Sequence, residues 1–231
     1  MSDTTMRPEH TGPGPVAFAA FTERWVRAFA ATATATESEL TALDQQVGDG
    51  DFGTNLVAGL QSALRLLDAP PTPGSGPVPP LGAAASAFLD EVGGTSGPLF
   101  GLLFQEMATA VRDGAAVAPT AALAAGVRDG LAAIQRVGEA EVGDKTLVDA
   151  LAPAAAALAA ATGADPAQAL GEAAGAAWRG VHGTARMTAR RGRASYLGDR
   201  AAGVPDPGAV GVALLFTAAA GPVTVLAPLL P

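Results

Sequence analysis

The chain has 231 residues, of which 49% are hydrophobic and 16% charged, and its formal net charge is −8. That size and apolar content suit one domain with a sizeable core, and the negative charge excludes a nucleic-acid backbone as the main partner. Cysteine is absent, which excludes disulfides, thiolate metal sites and cysteine nucleophiles, and two histidines (His10 and His182) are too few for a histidine-rich metal site.

Met1–Pro15 is polar, carries several Pro and Gly, and reads as a disordered start, leaving 16–231 as a single domain. It holds no basic segment followed by an apolar run, so a secretory signal is not expected and the chain is placed in the cytoplasm. Phe18, Phe21, Trp25 and Phe29 recur at spacings of three and four, which predicts a helix over Ala17–Ala31. Thr36-Glu37-Ser38-Glu39 has the pattern of a capping box and predicts a second helix, with Leu40, Leu43 and Val47 as its apolar stripe and Gly48 as its end. A third helix is expected from Asn55 to Leu67, followed by a Pro- and Gly-rich surface connection over Ala69–Gly82. Further helices are expected near Ala83–Val92, Pro98–Asp113, Thr120–Val137, Thr146–Thr162, Pro166–Val181 and Pro207–Ala220. No stretch sustains the alternation of β-branched and polar residues that marks a strand. The fold class is therefore all-α, an antiparallel bundle or barrel of eight or nine helices. The uncharged segment Ala209–Pro231 is long enough to raise the question of a membrane span. Its alanine content and the central Gly221-Pro222 favour a buried helix with a bent tail.

Five connections combine Gly with polar or charged residues: Gly48–Asn55, Gly93–Pro98, Gly138–Thr146, Arg190–Arg200 and Ala202–Gly208. If helices alternate up and down, loops at one end converge on one ligand. In the first loop, Asp44 lies in the last turn of a helix and Asp49 and Asp51 are two apart in a turn, so their carboxylates can crowd together. Such a cluster repels itself unless a cation neutralises it, and hard oxygen ligands suit Mg²⁺ or Ca²⁺. The bidentate Glu that closes an EF-hand is missing, since no Glu lies between Glu39 and Asp90, which argues against that site. The bland reading of the same loop is a Gly-Asp turn with solvated charges. Gly53, Thr54 and Asn55 open the next helix, whose free N–H groups make a phosphate site. Gly93–Pro98 reads either as a capped helix start, with Ser96 as cap, or as a second anion cradle. Gly143-Asp144-Lys145-Thr146 contains the sole lysine among 14 basic residues and fails the P-loop spacing. In Arg190–Arg200 one arginine reaching a phosphate is the better functional reading. Asp206-Pro207-Gly208 places an Asp cap before a Pro at the first helical position.

Taken in order, Gly48-Asp49-Gly50-Asp51 with Gly53-Thr54-Asn55, Gly94-Thr95-Ser96-Gly97-Pro98-Leu99, Gly143-Asp144-Lys145-Thr146, Gly192-Arg193-Ala194-Ser195-Tyr196-Leu197-Gly198 and Asp206-Pro207-Gly208 resemble the L subunit of dihydroxyacetone (glycerone) kinases, the nucleotide-binding half of that enzyme. The resemblance implies an antiparallel eight-helix barrel with the nucleotide at one end. It implies that Asp44, Asp49 and Asp51 hold two Mg²⁺ ions against ADP or ATP. Gly53, Thr54, Asn55, Thr95 and Ser96 would contact phosphates, and Gly138 and Leu147 would lie near the adenine. Arg193, as a catalytic cation beside the three aspartates, and the turn Asp206, Pro207 and Gly208 would close the site. Two positions depart from the pattern. Phe52 stands in the cofactor-binding loop where the family usually has His, so any polar role there is lost, and Leu147 replaces a usual Met.

The implied activity is phosphoryl transfer to a small ketone carried on a separate K subunit, which makes this chain one component of a kinase. ADP would be a bound cofactor recharged by a phosphotransferase-system phosphoprotein, the M subunit. A homodimer is admitted; nucleic acid and membrane are not expected as partners. Three alternatives stay open: an ATP-exchanging subunit, a kinase subunit for another keto-sugar or a fatty acid, and a non-catalytic regulatory binding module.

Overall fold

The computed structural model describes residues 14–71, 74 and 76–231. The disordered start expected for 1–15 lies outside the described residues over 1–13, and Pro15 opens the first helix. Among the described residues there is no strand, and eight α-helices follow in chain order: α1 (Pro15–Gln45), α2 (Phe52–Asp68), α3 (Pro80–Glu91), α4 (Ser96–Gly114), α5 (Pro119–Gly138), α6 (Val148–Ala160), α7 (Pro166–Thr184) and α8 (Pro207–Thr217). Short 3-10 turns occupy Arg193–Ala201 and Ala227–Leu229.

Each helix packs on the next, and α8 returns to α1, so the eight close into a ring. The indole N–H of Trp25 seals that closure by donating to the carbonyl of Leu215 at 2.7 Å. The expected all-α antiparallel barrel is thus what the chain forms. Short connections between packed helices make neighbours antiparallel. The α1–α2, α3–α4, α5–α6 and α7–α8 connections therefore share one end.

The sequence splits α1 wrongly. Residues 15–45 form one helix of 31 residues, and the expected capping box lies inside it. No Gly or Pro interrupts this stretch, and its hydroxyls turn back on their own helix: Thr34 donates to the Ala30 carbonyl and Thr36 to that of Thr32, both at 2.9 Å. Glu39 does not cap. Its carboxylate accepts the N–H groups of Leu226 at 3.0 Å and Ala227 at 2.9 Å, from the far end of the chain. The second correction is at α2, which begins at Phe52 and not Asn55, because the turn ends as soon as the Phe52 N–H reaches Asp44.

α8 is buried along nearly its whole length, from Ala209 to Phe216. The uncharged segment is thus core plus a tail that bends at Gly221, where φ is +141°. Among the described residues no helix is long and apolar enough to cross a membrane. The core is otherwise a run of aromatic contacts, Phe52–Phe100–Phe88–Phe104, with ring centroids 5.5–6.3 Å apart. Between them, Ala and Gly let helix backbones approach closely. A Cβ on Gly126 would meet the Cα of Met107 at 2.5 Å, and one on Gly180 would land on the Asp149 carbonyl.

Two glycines of α7 should therefore respond oppositely to alanine. Gly180→Ala forces α7 away from α6 and should destabilise the fold by about 1–3 kcal/mol. Gly171→Ala meets nothing within 4 Å and should stabilise it by roughly 0.5–1 kcal/mol through helix propensity. Denaturant unfolding of the two variants beside the parent protein checks both signs.

Candidate functional site

The end of the ring that carries the odd-to-even connections encloses a cavity of about 250 Å³. All four of those connections contribute to its wall, which is what the alternation of helix directions demands.

The first wall is the aspartate turn. Asp44 sits in the last turn of α1 and is 8% exposed, while Asp49 and Asp51 follow in the turn. Each offers a carboxylate oxygen, and these three oxygens lie within 4.8 Å of one another. The turn is held by the backbone N–H of Val47 and Gly48 on the Asp44 carbonyl and by the Phe52 N–H on Asp44 Oδ2 at 3.1 Å. Gly50 takes φ +78°, a left-handed position that lets the chain double back. Arg193 Nη1 donates to Asp49 Oδ1 at 2.6 Å and lies 3.9 Å from Asp51 Oδ1. Desolvation raises the Asp51 carboxyl above the usual range, the Asp49 charge adds to that, and the Arg193 charge opposes it.

Facing this turn is the α3–α4 connection. Gly94 at φ +73° lies so close that a Cβ there would stand 3.7 Å from Asn55 Nδ2 and 3.9 Å from Asp51 Oδ2. Thr95 and Ser96 line the cavity, with Thr95 as the N-cap residue and Ser96 as the first helical residue, against the expected role of Ser96 as cap. Neither Asp51 nor Thr95 bonds its side chain to its own helix start. Among the eight helices only α7 and α8 carry a side-chain cap, Asp165 through the Ala167 N–H at 2.9 Å and Asp206 through that of Ala209. What sets the N-termini of α2 and α4 apart is their place: apart from the Phe52 N–H, which Asp44 takes, their first-turn donors stand beside a carboxylate cluster that calls for a cation.

The opposite wall is apolar: Leu99, Ile134, Gly138, Ala140, Leu147 and Pro207. It is shaped by the α5–α6 connection, whose Gly143 and Thr146 N–H groups both end on the Asp149 carboxylate, at 2.6 and 2.8 Å. Asp206 caps α8 through the Ala209 N–H at 2.7 Å. Desolvation pushes its carboxyl up to about 7, against the lowering effect of that N–H and of the Lys145 charge.

The residues named from the sequence divide clearly. Asp44, Asp51, Thr95, Ser96, Gly138, Leu147, Arg193, Asp206, Pro207 and Gly208 all line the cavity, and Asp49 joins them at the rim through Arg193. Phe52 touches the cavity, but its ring is 3% exposed and packs on Phe100 and against Gly211, where it serves the core. Gly53 faces α1: a Cβ there would meet the Glu37 carbonyl at 2.5 Å, so its glycine is a packing requirement. Thr54 is exposed and lines a separate shallow hollow between α1 and α2. Asn55 stands beside Gly94 without lining the cavity. Sequence reasoning gave no role to Lys145, Asp149 or Thr184, which fasten the loops; a lone lysine in an arginine-rich chain was the available signal.

The all-oxygen donor set and the forced proximity of its charges fit a hard divalent cation. One end of the cavity, lined by hydroxyls, helix starts and Arg193, suits phosphates; the apolar end suits a flat base.

Comparison with known proteins agrees with this geometry. A family model described as the DAK2 domain matches residues 46–221. The ADP-binding subunit DhaL of a PEP-dependent dihydroxyacetone kinase 2 from Listeria innocua is 37% identical over 170 residues, covering 73% of this chain and 78% of that protein. The corresponding DhaL subunit from Escherichia coli is 36% identical over 184 residues, 78% of this chain and 86% of that one. The L-erythrulose 1-kinase of Mycolicibacterium smegmatis is 37% identical over 182 residues, and this chain spans only 32% of its length. Among solved structures, the dihydroxyacetone kinase from C. freundii, determined with AMP-PNP and Mg²⁺, superposes with a TM-score of 0.60 at 24% identity over 94% of this chain and 36% of that one, a likeness of fold.

The raised Asp206 carboxyl has a consequence for stability. Its value in the folded state, about 7, lies above the ordinary 3.8. The folded state therefore holds this proton while the unfolded chain releases it, and the contribution is lost as pH rises from about 4 through 7. Asp206→Asn keeps a cap acceptor and cannot ionise. Its melting temperature should gain on that of the parent protein steadily across this window and level off above it, as read by thermal unfolding in metal-free buffer.

Proposed function

The chain belongs to the DAK2 domain family, and from that premise we propose that it is the nucleotide-binding subunit of a dihydroxyacetone-type kinase. The observation that carries the reading is the meeting of three carboxylates with two uncapped helix N-termini at the polar end of a half-apolar cavity. We place residues 16–231 in one nucleotide-binding domain.

Asp44, Asp49 and Asp51 would hold two magnesium ions on the phosphates of ADP or ATP. Magnesium there supplies positive charge against the β- and γ-phosphates, which is most of what phosphoryl transfer asks of a protein. The first turns of α2, beyond the Phe52 N–H that Asp44 holds, and of α4 offer N–H groups to phosphate oxygens, and the Thr95 and Ser96 hydroxyls stand beside them. Leu147, Gly138 and Ile134 take the flat base on the apolar wall, closed by Asp206, Pro207 and Gly208. Arg193 is half exposed and can exchange a carboxylate for the transferred phosphoryl group, on the side where an acceptor must arrive. The ring of Phe52 leaves that path clear because it is turned into the core.

The acceptor would be a small ketone on a separate K subunit. ADP would remain bound and be recharged by a phosphotransferase-system phosphoprotein, the M subunit, in the cytoplasm. The likeness to two DhaL subunits over most of their length supports this mode. A second reading, an ATP-exchanging kinase for another keto-sugar, is favoured by the similar identity to the L-erythrulose 1-kinase.

The nucleotide released on denaturing the purified, desalted protein separates the two modes. Stoichiometric ADP with about two magnesium ions is the expected result; an empty protein that binds Mg-ATP supports exchange, and one that binds no nucleotide ends the proposal. Asp51→Asn should weaken Mg-nucleotide binding by about 10- to 100-fold, the scale of a lost contact to a charged group. The same variant should be no less stable than the parent without metal, since it removes a repelled charge. Titration calorimetry and thermal unfolding read the two effects separately.

A further inference from the structure

The α7–α8 connection is a 21-residue arm, 185–205, that leaves the ring after Thr184, carries Arg193 over the cavity and returns to Asp206. At its tip Arg193 and Asp49 are about half exposed, and ion pairs so placed contribute little. That contact cannot hold the arm, so its position must be set at the base.

Lys145 is at the base. It is 1% exposed and adopts φ +62°, a left-handed conformation that a residue with a side chain takes only under constraint. Its Nζ donates at 2.6 Å to the carbonyl of Thr184, where the arm departs, and at 2.6 Å to that of Val204, where it returns. The first lies at the C-terminus of α7, where it also accepts the Met187 N–H at 3.1 Å, and a helix C-terminus favours a cation. Desolvation pulls the Lys145 ammonium below its ordinary value, and the charges of Asp206, where it is ionised, and of Asp149 oppose this. The neck is completed by the Asp206 N–H on Thr184 Oγ1 at 2.9 Å and the Gly203 N–H on the Ala185 carbonyl at 2.8 Å. The neighbouring Asp144 supports the outgoing strand of the arm: its carbonyl accepts the Arg190 N–H at 3.0 Å, and its carboxylate lies 3.8 and 3.7 Å from the guanidinium groups of Arg190 and Arg191.

We infer that Lys145 is a positioning residue that acts through Arg193: its single ammonium ties both ends of the arm together and so fixes where the guanidinium stands over the carboxylates. A charge-assisted buried bond is worth several times an exposed ion pair, so the latch at the neck governs the tip and not the reverse. Its catalytic consequence rests on the phosphoryl-transfer reading; the latch itself does not.

Lys145→Met removes the donor and keeps an unbranched apolar chain of similar reach. Trypsin cleavage after Arg190, Arg191 or Arg193, measured on nucleotide-free protein, should rise by about tenfold, whereas Arg193→Gln should change cleavage after Arg190 and Arg191 less than about twofold. With a K subunit from the same organism, Lys145→Met should reduce turnover about as far as Arg193→Gln does, with Mg-nucleotide affinity within about threefold of the parent. The double variant should be no slower than Arg193→Gln alone. If Lys145→Met does not fold, Lys145→Gln, which can still reach one carbonyl, takes its place with the same two readouts. Parental cleavage rates in a folded variant, or turnover defects that multiply in the double variant, would overturn the inference. A parent protein without nucleotide affinity would sink the proposed function, while the cleavage rates would still decide the latch.

Discussion

An antiparallel ring of eight helices has two ends, and every connection from an odd helix to the next even one falls at the same end. That constraint gathers into one cavity four loops that are far apart in the chain. It depends on backbones lying close enough for the ring to close, and hence on Gly126, Gly130, Gly180 and Gly211, where a Cβ would meet a neighbouring helix. The ring is rigid where it is packed, so the loops can afford unusual conformations. Gly50, Gly94, Glu139, Gly143 and Lys145 all stand at positive φ around the cavity.

Charge is distributed around the cavity in two tiers. At the rim, Asp49 and Asp51 are open to water and to Arg193, so their repulsion is partly relieved and can be fully relieved by a cation. Beneath it, Lys145, Asp149 and Asp206 are shielded and spend their hydrogen bonds on backbone groups of the loops. The upper tier is available for chemistry because the lower tier has fixed the frame.

Much of this was readable in the sequence, and the reasons for success and failure are physical. The Gly-rich loops declared themselves because turns at positive φ and uncapped helix starts need those residue types. The crowding of Asp44, Asp49 and Asp51 followed from a helix end joined to a tight turn. The break expected in α1 did not occur, because a capping box and a mid-helix Thr/Glu cluster look the same until the partner of Glu39, nearly 190 residues away, is known. Phe52 was placed in the cofactor-binding loop, and Gly53 and Thr54 beside phosphates, by resemblance and by the helix start they belong to. Their direction depends on where α1 and α8 pack, which no local pattern carries. Lys145 was visible as an oddity, but its task is defined by carbonyls at Thr184 and Val204, and a carbonyl has no signature in a sequence.

The fastening of the tail to α1 has a further consequence for how the chain becomes this molecule. Val223 donates to Thr32, Leu226 and Ala227 to Glu39, and Trp25 to Leu215, each across some 190 residues. These are the contacts of greatest sequence separation in the ring, and their loop-closure entropy makes them slow. Of the eight helices of the ring α1 is made before the others and α8, which closes on it, after them. α2 and α3 can pack on α1 early, but the side of α1 that meets α8, where Trp25 finds the Leu215 carbonyl, stays open until the last helix of the ring is made.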